Sequence, residues 1–418
     1  MTGGQRVFAG LVAGAVTGLV IARFAPGSID AVELVAKPVG TLWLHALQMT
    51  VVPFVLSLII VGVAQAADVA AGGRIARRAV AWIVVLASAS AALTALVAPA
   101  LFAACPRSGD LVAAIQPAGP VEPPPAHAVG LDRITGLVPV NVVAAAAQGA
   151  IAPLVVFALC FAFAVTRLPA ARREPVIALA HGVADAMVVI VEWVLLAGPL
   201  GVFALILPVA ARAGAGVLGA LGIYVAVLIA VYLLITAAVY CVACLGGGEP
   251  LRRFAAAILP AQAVAAGSQS SLASLPAMMT ATATLGYPAR VGGLVLPLAV
   301  SLFRVTSPAQ YLTVASFIGW AHGTPPDPWS LALAAVLAVV ISLGSVGLPG
   351  QASFMGTTLP VVQAAGMPIE SLGLLLAVDL IPDVFATVGN VTGDLAVASR
   401  VARAEEAAAL RDASGRRA

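Results

Sequence analysis

The chain has 418 residues, 61% of them hydrophobic and 9% charged, and its 21 basic and 18 acidic side chains leave a net charge of +3. Soluble domains carry about 25% charged residues, so this composition excludes a soluble globular protein, a disordered chain and a nucleic-acid binder working through a basic face. The apolar runs are continuous rather than alternating, which excludes a β-barrel and leaves an all-α polytopic membrane protein with room for about eight to ten spans.

Six runs are readily bounded: Phe8–Phe24, Leu42–Ala66, Val80–Ala104, Val138–Val165, Ala184–Ala210 and Val217–Leu245. The first reads as a retained helix, since no small-x-small cleavage site leads into a polar start. Arginines mark alternate connections: Arg74, Arg77 and Arg78 after the second run, Arg167, Arg172 and Arg173 after the fourth, Arg252 and Arg253 after the sixth. The positive-inside rule then places the N-terminus, the even connections and the Arg-rich tail in the cytoplasm, with the odd connections outside. The cysteines Cys105, Cys160, Cys241 and Cys244 make no disulfide framework, and the C-x-x-C at Cys241 reads as two small residues on an apolar helix.

Four further apolar stretches follow, Phe254–Met279, Val291–Trp320, Leu331–Val362 and Leu372–Ala398. Two are interrupted near their middles, one by the Gly267-to-Pro276 segment that contains Ser268, Gln269, Ser270, Ser271 and Ser274, the other by Ser342-Leu343-Gly344-Ser345-Val346-Gly347-Leu348-Pro349-Gly350-Gln351. Each half is too short to span alone but suits a re-entrant hairpin whose tip is shielded from lipid. Paired, interrupted segments of this kind point to a transport site near the bilayer midplane. Charges lie where lipid is expected: Arg304 within its run, and Asp379, Asp383 and Asp394 in the last one. Asp379, Asp383, Thr387, Asn390 and Asp394 run at i, i+4, i+8, i+11 and i+15, one helical face turned into the bundle. Such carboxylates are costly unless paired or hydrated, so they mark a polar pathway. Pro382 is expected to break this helix locally. His45, His181 and His322 fall near span ends without a second ligand at metal spacing.

At these motifs the sequence resembles the dicarboxylate/amino acid:cation symporters, which include glutamate and aspartate transporters. Asn390-Val391-Thr392-Gly393-Asp394 is identical to the family's N-V-T-G-D, Ser345-Val346-Gly347-Leu348-Pro349-Gly350 is similar to T-A-G-V-P-G, and Ser270-Ser271-Leu272-Ala273-Ser274-Leu275-Pro276 is similar to S-S-S-x-T-L-P. Upstream, Leu47-Gln48-Met49-Thr50-Val51-Val52-Pro53, Leu137-Val138-Pro139-Val140-Asn141 and Gly198-Pro199-Leu200-Gly201-Val202-Phe203 also match family stretches. The resemblance implies eight transmembrane helices plus two re-entrant helical hairpins arranged as inverted repeats. It implies an elevator-type homotrimer in the cell (inner) membrane, in which a transport domain slides against a scaffold. Scaffold helices are then expected over 1–78 and 137–212, a transport-domain helix over 79–104 and an extracellular Pro-rich loop over 105–136. The main transport domain is expected over 213–403 and a cytoplasmic tail over 404–418.

By position, the resemblance implies that Asp383 meets a substrate amino group and that Thr387 and Asn390 bind substrate, Asn390 at its α-carboxylate. Ser270, Ser271, Ser307 and Gly347 complete that site, and Gly344, Gly347, Pro349 and Gly350 form a gate. The resemblance also implies cation sites at Asp394 and Asn390, and at Ser301 with Ser342, Leu343 and Ser345. Two departures stand out. Phe303-Arg304-Val305-Thr306-Ser307 replaces the family's N-M-D-G-T, and Ala386 replaces an arginine. Phe303 and Val305 cannot ligate sodium, whereas Arg304 offers a permanent charge, either to Asp383 or Asp394 or to a second substrate carboxylate. The expected function is symport of a small organic anion, dicarboxylate or amino acid by alternating access. It needs no cofactor or nucleic acid and takes H+ or Na+ as the coupling ion. The alternatives are a substrate-binding homologue without ion coupling and an intramembrane aspartate enzyme.

Overall fold

A computed structural model describes residues 3–71, 73–106, 135–213, 216–245, 249–344, 350–369 and 371–415, and these residues form helices and turns with no strand. In chain order the α-helices are α1 (Gly3–Phe24), α2 (Ile29–Gln48), α3 (Val51–Ala71), α4 (Arg74–Ala104), α5 (Val142–Ala147), α6 (Ile151–Thr166), α7 (Ala170–Leu196), α8 (Gly198–Ala213) and α9 (Gly216–Cys244). They continue as α10 (Leu251–Ser268), α11 (Ser271–Leu285), α12 (Ala289–Leu302), α13 (Ser307–His322), α14 (Pro328–Gly344), α15 (Gly350–Ala364), α16 (Leu372–Val378) and α17 (Leu380–Gly415). Six helical stretches among the described residues are long and apolar enough to cross a bilayer, seven if the bent pair α16–α17 counts as one span.

Several expected runs are divided by proline chemistry. The run Ala184–Ala210 straddles two helices that meet at Ala197, because Pro199 has no N–H to give the Leu195 carbonyl. Pro53 acts in the same way at Met49–Thr50, between α2 and α3. The run Val138–Val165 is divided at Gly149, whose φ of +65° is in the left-handed region, and Asn141 caps α5 by accepting from the N–H groups of Val143 and Ala144.

Helices α1 and α8 lie parallel and very close. A β-carbon at Gly10 would sit 2.3 Å from the Pro199 carbonyl oxygen, at Gly14 2.4 Å from Ile206 Cγ2, and at Gly18 2.6 Å from the Leu207 oxygen. This is small-residue packing at i, i+4 and i+8, which substitutes backbone contact for the hydrophobic drive that lipid does not supply. Trp43 seals the other side of α8. Its ring lies where a Gly201 side chain would project, and its Nε1–H donates to the Val194 carbonyl at 3.0 Å.

Arginines after the second, fourth and sixth runs pair with acidic side chains of neighbouring connections and of the tail. Arg74 (3.0 Å), Arg78 (2.7 Å) and Arg290 (3.6 Å) pair with the buried Glu405. Arg253 and Arg403 pair with the buried Glu249, and Arg173 pairs with Asp68. Arg212 pairs with Asp30 and Glu33, joining the connections after the first and fifth runs. Arg400 lies 4.9 Å over the Trp82 ring.

Candidate functional site

Polar groups of the α10–α11 turn, of the α12–α13 connection and of α13 meet at α16 and α17. Helices α10 and α11 pack against each other across a two-residue turn, forming a helical hairpin. Gln269 makes the turn with φ at +52°, and Ser270 caps α11 by accepting from the Ala273 N–H at 3.2 Å. The Gln269 amide reaches 3.0 Å to the Leu380 carbonyl, fixing the hairpin tip, with half-buried Ser270 and Ser271, at the start of α17. Helices α14 and α15 pack together as a second hairpin. Of its expected gate, Gly344 ends α14 and Gly350 begins α15, whereas Gly347 and Pro349, and Ser345 of the expected cation site, lie outside the described residues.

Between α12 and α13 the chain unwinds over Phe303-Arg304-Val305-Thr306. Three contacts hold this segment. Ser90 of α4 donates to the Val305 carbonyl at 2.6 Å, and the Thr306 N–H donates to Asn390 Oδ1 at 3.0 Å. The Thr306 hydroxyl lies 2.9 Å from Asn390 Oδ1 and 3.2 Å from the Ala386 oxygen. Because a backbone N–H only donates, Asn390 must present Oδ1 to Thr306, which leaves its Nδ2 donors for a ligand. Glycine is required on the facing stretch of α17. A β-carbon at Gly389 would meet Thr306 Cγ2 at 2.7 Å, and one at Gly393 would meet Val305 at 3.0 Å and Phe303 at 3.1 Å.

The carboxylate face is bent rather than straight. Asp379 caps α16, and α16 and α17 meet at 71°. Pro382 explains the break, since its ring nitrogen cannot bond the Val378 carbonyl that ends α16. Asp379, Thr387, Asn390 and Asp394 are buried, while Asp383 is half-buried. Asp379 Oδ1 accepts from Gln310 Nε2 at 2.7 Å, and the Thr387 hydroxyl donates to the Asp383 carbonyl at 2.9 Å.

Arg304 is half-buried, and among the described residues no carboxylate lies within 4.0 Å of it, although its charge acts on both Asp383 and Asp394. Asp394 is 0% exposed and neither of its oxygens has a hydrogen-bond donor among the described residues. Phe303 and Val305, both buried, put carbon rather than oxygen beside neighbouring Gly393. Ser307 is buried at the start of α13, with its N–H on the Arg304 carbonyl. Ser301 is exposed and its hydroxyl donates back to Leu298; the buried Ser342 does the same to Val339 in the last turn of α14. Gln310, Thr306 and Ser90 enter the site without having been singled out in the sequence, where each is one polar residue in a helical run.

A polar face sunk in an apolar bundle, reached by the first hairpin and the N-termini of α11 and α13, is suited to passing a small organic anion through a membrane unchanged. This is the class of secondary transporters, not of enzymes. The chain belongs to the sodium:dicarboxylate symporter family, whose model matches residues 4–404. It is 26% identical to the proton/glutamate-aspartate symporter of Escherichia coli over 86% of this chain and 82% of that protein. Against C4-dicarboxylate transport protein 2 of Ralstonia nicotianae the identity is 28%, over 86% and 81% of the two chains. Against the proton/sodium-glutamate symport protein of Bacillus subtilis it is 25%, over 93% and 89%.

Proposed function

We propose that the protein imports a small dicarboxylate, with or without an α-amino group, by alternating access in symport with an ion. Asn390 Nδ2, with Ser270, Ser271 and Ser307 at two helix N-termini, receives one carboxylate. Thr387 and Gly347 line the site, and Arg304 takes the second carboxylate in bidentate fashion. Asp383 meets the amino group when the substrate has one. The observation that carries this reading is Arg304 itself: a half-buried guanidinium beside the Asn390 lock, with no carboxylate within 4.0 Å among the described residues. A permanent cation left unpaired in a bundle interior needs an anion, and the transported dicarboxylate supplies it. That use of Arg304 fits this geometry better than a standing pair with Asp383 or Asp394.

The reading extends to architecture. Eight spans and two re-entrant hairpins form inverted repeats, with a scaffold (1–78, 137–212) that trimerises and a transport domain (79–104, 213–403) that slides on it as an elevator. Both termini, including the tail 404–418, lie on the cytoplasmic side of the inner membrane, where the arginine–glutamate clusters gather. The loop 105–136 lies outside the cell. Gly344, Gly347, Pro349 and Gly350 act as the gate. Ser301, Ser342, Leu343 and Ser345 remain a candidate cation site, whereas Asp394 and Asn390, with Phe303 and Val305 beside them, suit sodium poorly.

The test is uptake of radiolabelled succinate, aspartate and butyrate into proteoliposomes under imposed H+ or Na+ gradients. Concentrative uptake of a dicarboxylate, with butyrate excluded, is expected. Equal handling of butyrate and succinate would refute the proposal.

A further inference from the structure

We propose that Asp379 carries the coupling proton of this transporter, an assignment that rests on the symport reading above. Asp379 is a buried carboxylate for which that reading has no use. It sits at the 71° bend between α16 and α17, and its backbone carbonyl accepts the Asp383 N–H at 3.1 Å, so the two carboxylates stand one helical turn apart. The charge of Asp383 acts directly on Asp379. Among the described residues the one donor on Asp379 is the neutral amide of Gln310, at 2.7 Å on Oδ1. No cation lies within 4.0 Å of either carboxylate among the described residues, and position 386 on the next turn is alanine.

The groups facing Asp379 from the helices around it are few. From α9 come Tyr224 and Tyr232, both wholly buried and both within reach of its charge. Gln310 comes from α13, where the neighbouring Tyr311 acts on Tyr232, and Gln269 of the first hairpin holds the adjacent Leu380 carbonyl. Helices α1, α8 and α15 also pack on α16, and among the described residues none of their charged side chains lies within 4.0 Å of Asp379. The Arg304 charge acts on Asp383 and Asp394. The buried Asp379, one turn from the half-buried Asp383 and held among the described residues by the neutral Gln310 amide alone, favours one proton on the pair over two ionised carboxylates.

Gln310 holds Oδ1 of Asp379, so the proton forms its O–H bond at Oδ2. It is taken from water on the outer side and released, by breaking the same bond, on the inner side. Nothing is oxidised or reduced. With the proton on Asp379, Asp383 stays ionised for the substrate's amino group. The site also carries one negative charge fewer when the dicarboxylate arrives, so proton and substrate favour each other's binding equally.

The test uses proteoliposomes of wild type and Asp379→Asn with a pH-sensitive dye in the lumen. Asparagine keeps the shape and the Gln310 contact. Wild type is expected to acidify the lumen as aspartate or succinate enters, with affinity rising up to about tenfold per unit fall in pH. Asp379→Asn should bind substrate with an affinity independent of pH and exchange it across the membrane without acidification, and Asp379→Glu should restore proton flux. Wild-type uptake without acidification, driven by a sodium gradient alone, would overturn the proton assignment and leave the symport reading standing. No uptake or exchange under any gradient would overturn both. Infrared difference spectra of the detergent-solubilised protein give a second readout independent of transport. A protonated-carboxyl band present in wild type and absent in Asp379→Asn supports the assignment, and an identical spectrum in both overturns it.

Discussion

Truncating Asn390 should separate its two jobs. In Asn390→Ala the Thr306 N–H loses its acceptor at 3.0 Å, while the hydroxyl keeps the Ala386 carbonyl at 3.2 Å; Thr306 is 2% exposed, so water does not readily reach the N–H. An orphaned buried donor costs about 1–3 kcal/mol of stability. The Nδ2 bond to an ionised carboxylate is lost as well, worth roughly 1.5–3 kcal/mol, or tenfold to over a hundredfold in affinity. Thr306→Val is the control, because it removes the hydroxyl but leaves the N–H on Asn390 Oδ1. It should cost about 1 kcal/mol of stability and leave affinity within a few-fold of wild type. Isothermal titration of purified protein with aspartate and succinate, beside thermal melts in the same detergent, measures both effects. If Asn390→Ala binds within twofold of wild type, or Thr306→Val loses as much affinity as Asn390→Ala, the division of labour at Asn390 is wrong.

Two further outcomes rest on packing and charge. Gly14→Val drives a side chain into Ile206 Cγ2 and the Phe203 carbonyl, the latter 2.8 Å from where the β-carbon must sit. The mutant should melt well below wild type, by a destabilisation of about 1–3 kcal/mol or more, whereas Gly182→Val, where nothing lies within 4 Å, should not. Glu405→Gln leaves Arg74, Arg78 and Arg290 without their shared anion. Those arginines are partly exposed, so the loss should be about 1–2 kcal/mol rather than the full cost of an unpaired buried charge, read as a lower melting temperature that high salt partly masks.

Much of this was legible in the residues. Apolar runs located most helices, and Pro382 marked the bend in the last span. The run Ala184–Ala210 shows one limit: hydropathy stays high across Ala197, so only Pro199 records that two helices meet there. The straight carboxylate face shows another, since counting i, i+4 assumes a helix axis that Pro382 breaks between Asp379 and Asp383. Gln310, Thr306 and Ser90 carry no periodicity and gain meaning only from partners 69, 84 and 215 residues away in the chain. The Gly10, Gly14 and Gly18 spacing was present in the first run and signals close helix packing, but only the fold names α8 as the partner. Ser301 points outward and bonds its own helix, which motif position alone does not convey.

The central claim is that Arg304 reads the second carboxylate of the substrate. The direct measurement is the inhibition of radiolabelled succinate or aspartate uptake by a dicarboxylate and by its one-carboxylate analogue of the same length, in wild type and in Arg304→Met. Wild type should favour the dicarboxylate by roughly tenfold to a hundredfold, the span of one charge-assisted contact. Arg304→Met should lose that preference while still binding the analogue. An Arg304→Met protein that keeps the wild-type preference would contradict the account.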